Sequence, residues 1–443
     1  MRLRTSALRL TAPILLLAVA SLPHAAADNP ETATAENWPH WRGPRFDGTS
    51  RETGLPAEWD REKNVRWRYE LPGDGAGTPI VWGDRIFLTS SVDGANDLVA
   101  MALSRGGELV WRKTVAQGGY GFEGGWAYAK TETTPASPSP VTDGERLWMF
   151  FGTGLLTALD FDGNELWRVD LEERYGELST YFGLSSSPFV AGERLYLQAL
   201  STDHQLVLAL DKTSGKEVWK LERPTDARDE CLHSYTSPQV IRTGGGDRLL
   251  VHGADYLTAH RPADGAEVWR HGGLNPKDGY NPALRLVATP VFAGGLLVVP
   301  SAKRGPVYAL EVDGAAGDIT GSEKHTRWHL ERGTPDVPSP LVHDGLVYLC
   351  DENGRLTCLD AGTGEELYAE RVHGGPHRGS PVYADGKLFL MATDGTVSVV
   401  KAGREYELLA KNDVGERLAA SLAVSGGTIY LRSYKALYAI GGP

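Results

Sequence analysis

Three stretches of this chain combine residue types that could bind haem or a metal: Cys231-Leu232-His233, the pair His373 and His377, and Asp160-Phe161-Asp162-Gly163-Asn164. None completes its pattern. Haem attachment needs a second cysteine, in Cys-x-x-Cys-His. Two histidines four residues apart are neighbours one turn apart on a helix, and Gly374-Gly375-Pro376 between them forbids one. The Asp160 stretch lacks the later glutamate that closes a calcium loop, and reads as a turn. No His-Glu-x-x-His, Gly-x-Ser-x-Gly or phosphate-cradling loop with Lys-Ser/Thr occurs. Any chemistry must therefore come from residues that the fold brings together.

The elements that would position them are repeated. Each unit opens on a Ser/Thr-Pro step, passes a Gly turn into an apolar strand, and ends on a Gly-x-x-x-Trp turn. Ser187-Pro188, Gly192, Leu195-Tyr196-Leu197, Leu208-Ala209-Leu210-Asp211, Gly215 and Trp219 show the sequence of beats once. The steps fall at Pro79, Pro140, Pro188, Pro238, Pro290, Pro340 and Pro381, with Ser421-Leu422 as an eighth opening without its proline. A period of roughly 40 to 60 residues holding four short strands is the mark of a radial array. Leu206 to Leu210 is apolar on both faces, so each sheet must be covered by a neighbour on either side.

The ends of the chain complete one another. The last unit stops after a third strand near Ala436 to Ile440, and Asn64 to Leu71 is a fourth strand without a preceding three. Pairing them leaves no open sheet edge. The expected fold is all-β: an eight-bladed β-propeller of four-stranded antiparallel blades over residues 63–443, the N-terminal strand completing the last blade.

Ahead of it, residues 1–27 read as a signal peptide. Arg2, Arg4 and Arg9 precede an apolar run, and Ala25-Ala26-Ala27 offers a cleavage site. The run is short and broken by Pro13, and no second apolar run of membrane length follows. The expected product is a periplasmic or secreted protein with no membrane span, monomeric, starting near Asp28. Residues 28–62 form a Trp/Pro/Arg-rich arm without strand or helix period.

With 57 acidic against 45 basic residues the chain is acidic, which argues against nucleic acid as a partner. Its three cysteines, Cys231, Cys350 and Cys358, make no disulfide framework. Cys350 and Cys358 sit on two arms of one expected hairpin and read as buried thiols, with a bridge as the alternative.

In a four-stranded blade, the loops entering the first strand and the turns between strands two and three share one end of the ring. That reasoning gathers Lys130, His233, Tyr235, Asp255, Lys303, Arg304, Asp351, Arg378 and Arg432 on one face, where cations, carboxylates and a tyrosine could hold a partner or a polar ligand near the central channel. The same residues taken singly read as solvated loop positions or local ion pairs. The insertion from Gly118 to Thr134, with Tyr120, Phe122, Trp126 and Tyr128, reads either as a cap on the channel or partner contact, or as a loop packed on its own blade.

The turn Ala209-Leu210-Asp211-Lys212-Thr213-Ser214-Gly215-Lys216-Glu217-Val218-Trp219 resembles the tryptophan-docking motif of pyrroloquinoline quinone (PQQ) repeat propellers. Cys358 to Tyr368 and Ala259 to Trp269 keep its spacing, and Ala158 to Trp167 and Ala102 to Trp111 are one residue shorter. The opening Trp38-Pro39-His40-Trp41-Arg42-Gly43-Pro44 is also similar to that of exported PQQ-like repeat proteins. The resemblance implies that Trp67, Trp111, Trp167, Trp219, Trp269, Trp328, Tyr368 and Tyr406 dock between neighbouring blades. It implies one of two functions. One branch oxidises alcohols or sugars with PQQ and calcium, an Asp base and, in alcohol-oxidising members, an adjacent Cys-Cys pair, which this chain does not have. The other is non-catalytic and presents its surface to partners, as does an assembly-factor lipoprotein of the outer-membrane barrel machinery. The expected function is thus a binding scaffold of the cell envelope without catalytic residues, metal or cofactor, taking an envelope protein or a small polar ligand. The alternative is a quinoprotein dehydrogenase with an atypical site.

Overall fold

The computed structural model describes residues 37–92, 96–119 and 133–442. The strands form eight sheets, seven of four strands and one of five. Blade 3 shows the pattern. Phe189–Ala191, Arg194–Leu200, Gln205–Asp211 and Glu217–Glu222 pair in sequence order, and the third strand is buried along almost its whole length. Such a strand needs apolar residues on both faces, because each blade lies between two others. Core clusters accordingly span blade boundaries, as Trp148 and Phe150 of blade 2 with Leu197 and Leu208 of blade 3 do.

The ring closes as its ends require. Val65–Glu70 pairs antiparallel with Ala436–Ile440, Trp67 opposite Ala439, and completes blade 8. Arg432, fully buried, sews blade 8 to the start of blade 1 by donating to the carbonyls of Gly77 and Thr89 at 3.0 and 2.6 Å. Burial pulls its guanidinium down to about 10.

The docking indoles explain the Gly turns. Trp167 lies on Gly215 and donates Nε1–H to the Lys212 carbonyl of the next blade at 3.2 Å. Gly215 has φ +67°, and a Cβ there would stand 2.6 Å from the indole, so both backbone and contact exclude a side chain. Trp67, Trp111, Trp219 and Trp328 sit likewise on Gly107, Gly163, Gly265 and Gly364. Their Nε1–H groups reach Arg105, Phe161, Pro262 and Ala361 carbonyls at 2.7–3.0 Å.

Three positions depart from this geometry. Trp269 is buried among Leu310, Val312, Ala315 and Ile319 and its Nε1 finds no acceptor. The connection after Leu310 is longer here, and its Gly317–Asp318 adds a parallel fifth strand beside Trp269 and Arg270. Tyr368 packs edge-on against Tyr406, ring centroids 5.7 Å apart, rather than on a glycine. Tyr406 precedes the outer strand of blade 7, Leu408–Asp413, in which Ala410 opposite Val399 holds the place that the tryptophans take in other blades.

The cysteines are three buried free thiols. Cys350 faces Leu356 and Cys358 faces Tyr348, so the two are not cross-strand neighbours. Asp160 is a turn residue, its Oδ1 accepting from the backbone N–H groups of Asp162 and Asn164. Among the described residues no helix is long and apolar enough to cross a membrane. The proposed signal segment and the insertion residues Tyr120, Phe122, Trp126 and Tyr128 lie outside the described residues.

Candidate functional site

The central channel is lined by the Ser/Thr of every repeat opening. The backbone N–H of Thr78 donates to the Ser139 hydroxyl, Ser139 to Ser187, Ser187 to Ser237, Ser237 to Thr289, Thr289 to Ser339, Ser339 to Ser380 and Ser380 to Ser421, all at 2.9–3.1 Å. The step thus ties each innermost strand to the next. Its proline is dispensable to the ring, because Ser421 keeps the hydroxyl where Leu422 follows. A cavity of about 390 Å³ runs through the ring, with Trp41, Phe182, Tyr235, Arg285, Asp336 and Arg378 among its walls.

One end is closed by the arm. Arg42, buried, donates to the carbonyls of Pro340 at 2.6 Å and Pro381 at 3.3 Å, the residues directly after ring members Ser339 and Ser380. Trp38 exchanges backbone hydrogen bonds with Val81, and Thr49 bridges to Tyr383 in parallel. Phe46 meets Phe189 edge-on at 5.0 Å, and Glu52 accepts from the backbone of Gly426 and Gly427. A segment without helix or strand period therefore has its backbone groups satisfied by the ring itself. Beside it, a groove of about 870 Å³ runs between arm residues such as Arg51 and the first turns of blades 5 to 7.

The other end carries a charge network drawn from six connecting segments. Asp336, 6% exposed, faces Lys303 at 3.2 Å, Arg285 at 3.6 Å and Arg378 at 3.8 Å. Lys303 also reaches Glu352 at 3.1 Å, which Arg304 meets at 3.5 Å, and Arg285 pairs with Glu230 at 3.2 Å. Burial pushes the Glu230 carboxyl up, and Arg285 opposes the shift. A carboxylate as buried as Asp336 is tolerable only because cations surround it.

The structure brings Lys303, Arg304 and Arg378 into this network and places Tyr235 on the channel wall, 5.7 Å from the Phe182 ring centroid. His233 lies behind it, fully buried, with Nε2 2.8 Å from Thr202 Oγ1, and burial draws it down to about 4. Asp255 is separate: it is 3.6 Å from Lys277, its carboxyl raised by burial, and it does not line the channel. Asp351 holds its own turn by accepting from the N–H groups of Asn353 and Arg355. Arg432 belongs to the seam described above, and Lys130 lies outside the described residues. His373 pairs with Asp394 at 2.7 Å, while its ring is 6.3 Å from that of His377.

Sequence reasoning missed Glu230, Arg285, Asp336 and Glu352. A usable signal existed. Tyr235, Arg285, Asp336 and Arg378 all fall two to four residues before a ring Ser or Thr, where the entering loop turns into the channel.

The channel residues do not fit a quinone held with calcium. Asp336, the carboxylate on the wall, is already engaged by three cations. No cysteine lines the cavity. Among the described residues no group of three His, Cys, Asp or Glu is placed to hold a metal.

Comparison with known proteins agrees with this architecture. The chain is 27% identical over 246 residues to the outer membrane protein assembly factor BamB of Yersinia pestis, covering 53% of this chain and 56% of that one. It thus spans about half the length of the curated relatives it matches. The crystal structure of BamB from Moraxella catarrhalis superposes with a TM-score of 0.59 at 16% identity, over 85% of this chain and 96% of that one. A europium-containing methanol dehydrogenase superposes with a TM-score of 0.69 at 12% identity, over 91% of each chain. At such identities the two structures share the fold alone. The family profile described as outer membrane protein assembly factor BamB matches residues 95–366 and 315–441, and the chain belongs to that PQQ-like repeat propeller family.

Proposed function

We propose that this propeller is an exported, non-catalytic scaffold of the cell envelope, working after signal-peptide removal near Ala27, and that an envelope protein docks on the end of the channel opposite the arm. One observation carries the reading: Lys303, Arg304, Glu352, Arg285, Asp336 and Arg378 converge at that end from five loops, while the opposite end is occupied by the arm. Relatives whose printed name is an outer-membrane assembly factor support it. Arg304, 73% exposed, is the reachable edge of the network and the natural first contact for a carboxylate on a partner.

The test compares the tagged wild-type chain with Arg304→Glu and with Arg51→Glu on the arm side. A defined envelope protein should co-purify with the wild type and with Arg51→Glu, and be lost or strongly reduced with Arg304→Glu. Equal retention by all three overturns the docking face. Dye-linked alcohol oxidation by the pure chain with PQQ and calcium would overturn the non-catalytic reading instead.

A further inference from the structure

The repeat hydroxyls do more than link strands. In the ring, Ser139, Ser187, Ser237, Thr289, Ser339, Ser380 and Ser421 each use an oxygen lone pair to accept a backbone N–H. None of the seven donates its own proton to a described residue, although all are buried and all line the cavity. A crown of seven O–H donors therefore surrounds the channel. Buried donors without acceptors are costly and call for an occupant.

The walls add the opposite kind of group. Asp336 Oδ1 accepts no hydrogen bond, with Arg285 Nη1 3.6 Å away, and it lines the same cavity. Ser185 Oγ and Trp41 Nε1, also on the wall, are buried without partners. Trp41, Phe182 and Tyr235 supply aromatic surface among these polar groups. The arm makes the channel a cup rather than a tube, since Arg42 is anchored just below the crown. Its volume of about 390 Å³ is near the lower end of small-ligand sites.

We propose that this cup binds a neutral polyhydroxylated molecule the size of a mono- or disaccharide. A simple anion would satisfy the crown but would meet Asp336, and the arginines that might attract it already face Asp336 and Glu230. A polyol both accepts from the crown and donates to Asp336, and its C–H faces pack on the aromatic walls. An ordered water column is the competing occupant. The site lies beneath the docking face and needs no protein partner, so it stands or falls separately from the scaffold reading.

Isothermal titration of the whole mature chain with D-glucose, N-acetyl-D-glucosamine and maltose, and with sodium phosphate and malonate, tests it. Saturable binding of at least one sugar is expected, weakened roughly fivefold or more by Ser185→Ala or by Tyr235→Phe. Ser185→Ala removes an oxygen with no partner in the protein, so it keeps the test valid if the tyrosine variant folds poorly. No saturable heat with any of the three sugars, binding of phosphate or malonate alone, or sugar binding unchanged in both variants would each overturn the proposal.

Discussion

The two ends of the channel are built from the same repeat and end up differently. At one end the arm lies across the first turns of the blades, and Arg42 is held by two carbonyls that directly follow ring serines. At the other end no segment of the described chain is laid across, and six charged side chains from five loops face one another around Asp336 and Glu352. The first end spends its polar groups on its own backbone. The second keeps cations and acids in side-chain pairs, one of which, Arg304, stands largely in solvent. A region whose interactions are internal contributes to stability, whereas one with exposed paired charges is suited to recognition.

The largest effect should come from the closed end. Deleting residues 28–71, which removes both the arm and the strand Val65–Glu70, should leave aggregated or unfolded protein. It opens the edge of blade 8 and removes Trp38, Leu55 and Trp59 from the core they share with Val81, Phe389 and Val414. A monomeric deletion variant with unchanged melting in circular dichroism would remove the arm's structural role from the comparison.

Within the ring, Trp219→Ala should cost about 3–5 kcal/mol in urea unfolding, because it empties a buried indole and a bond to Pro262. A loss within error of zero would reject the docking role. Acid should act next. His40, His252, His260 and His271 are buried, and desolvation lowers them to about 3, 3, 4 and 4. The unfolded chain, with ordinary histidines near pH 6.5, binds protons first, so their contribution is intact above that pH and is lost as pH falls toward about 3. Each histidine can remove up to about 1.4 kcal/mol per pH unit in that window. Denaturation midpoints that stay flat from pH 7 to pH 4.5 would contradict this.

Gly215→Ala should cost roughly 1–2 kcal/mol for its left-handed backbone, with a further penalty from the Trp167 ring. The smallest change belongs to the end opposite the arm. Arg304→Glu should alter stability by no more than about 0.5 kcal/mol while abolishing partner capture. A large stability loss would make Arg304 a structural residue like Arg42 and erase the contrast.

The fold was legible because its signals are local and repeated. Leu206 to Leu210 announces a strand covered on both faces, and the missing fourth strand after Ile440 announces the seam with Trp67. The exceptions were not legible for a physical reason. Trp269 has the motif spacing, but what its indole meets is decided by the Gly317–Asp318 strand of the following blade. Arg432 looked like a charged loop tip, yet the carbonyls of Gly77 and Thr89 that bury it are distant in sequence. Lys303, Arg304 and Arg378 were named from their position in the repeat. Asp336 and Arg285 carry the same positional signal before a ring Ser or Thr, but their pairing with Lys303, Arg378 and Glu230 joins loops distant in sequence. The arm, with no period to read, drew attention as a break in the pattern; its meaning lies in Asn37, Trp38 and Arg42 reaching blades remote in sequence.

Photo-crosslinking in intact cell envelopes compares the two ends most directly. A benzophenone amino acid is placed in turn at Arg304 on the mouth and at Arg51 in the arm-side groove. One defined protein adduct is expected from position 304 and none from position 51. The same adduct from position 51, with position 304 silent, would contradict it and move recognition to the arm-side groove.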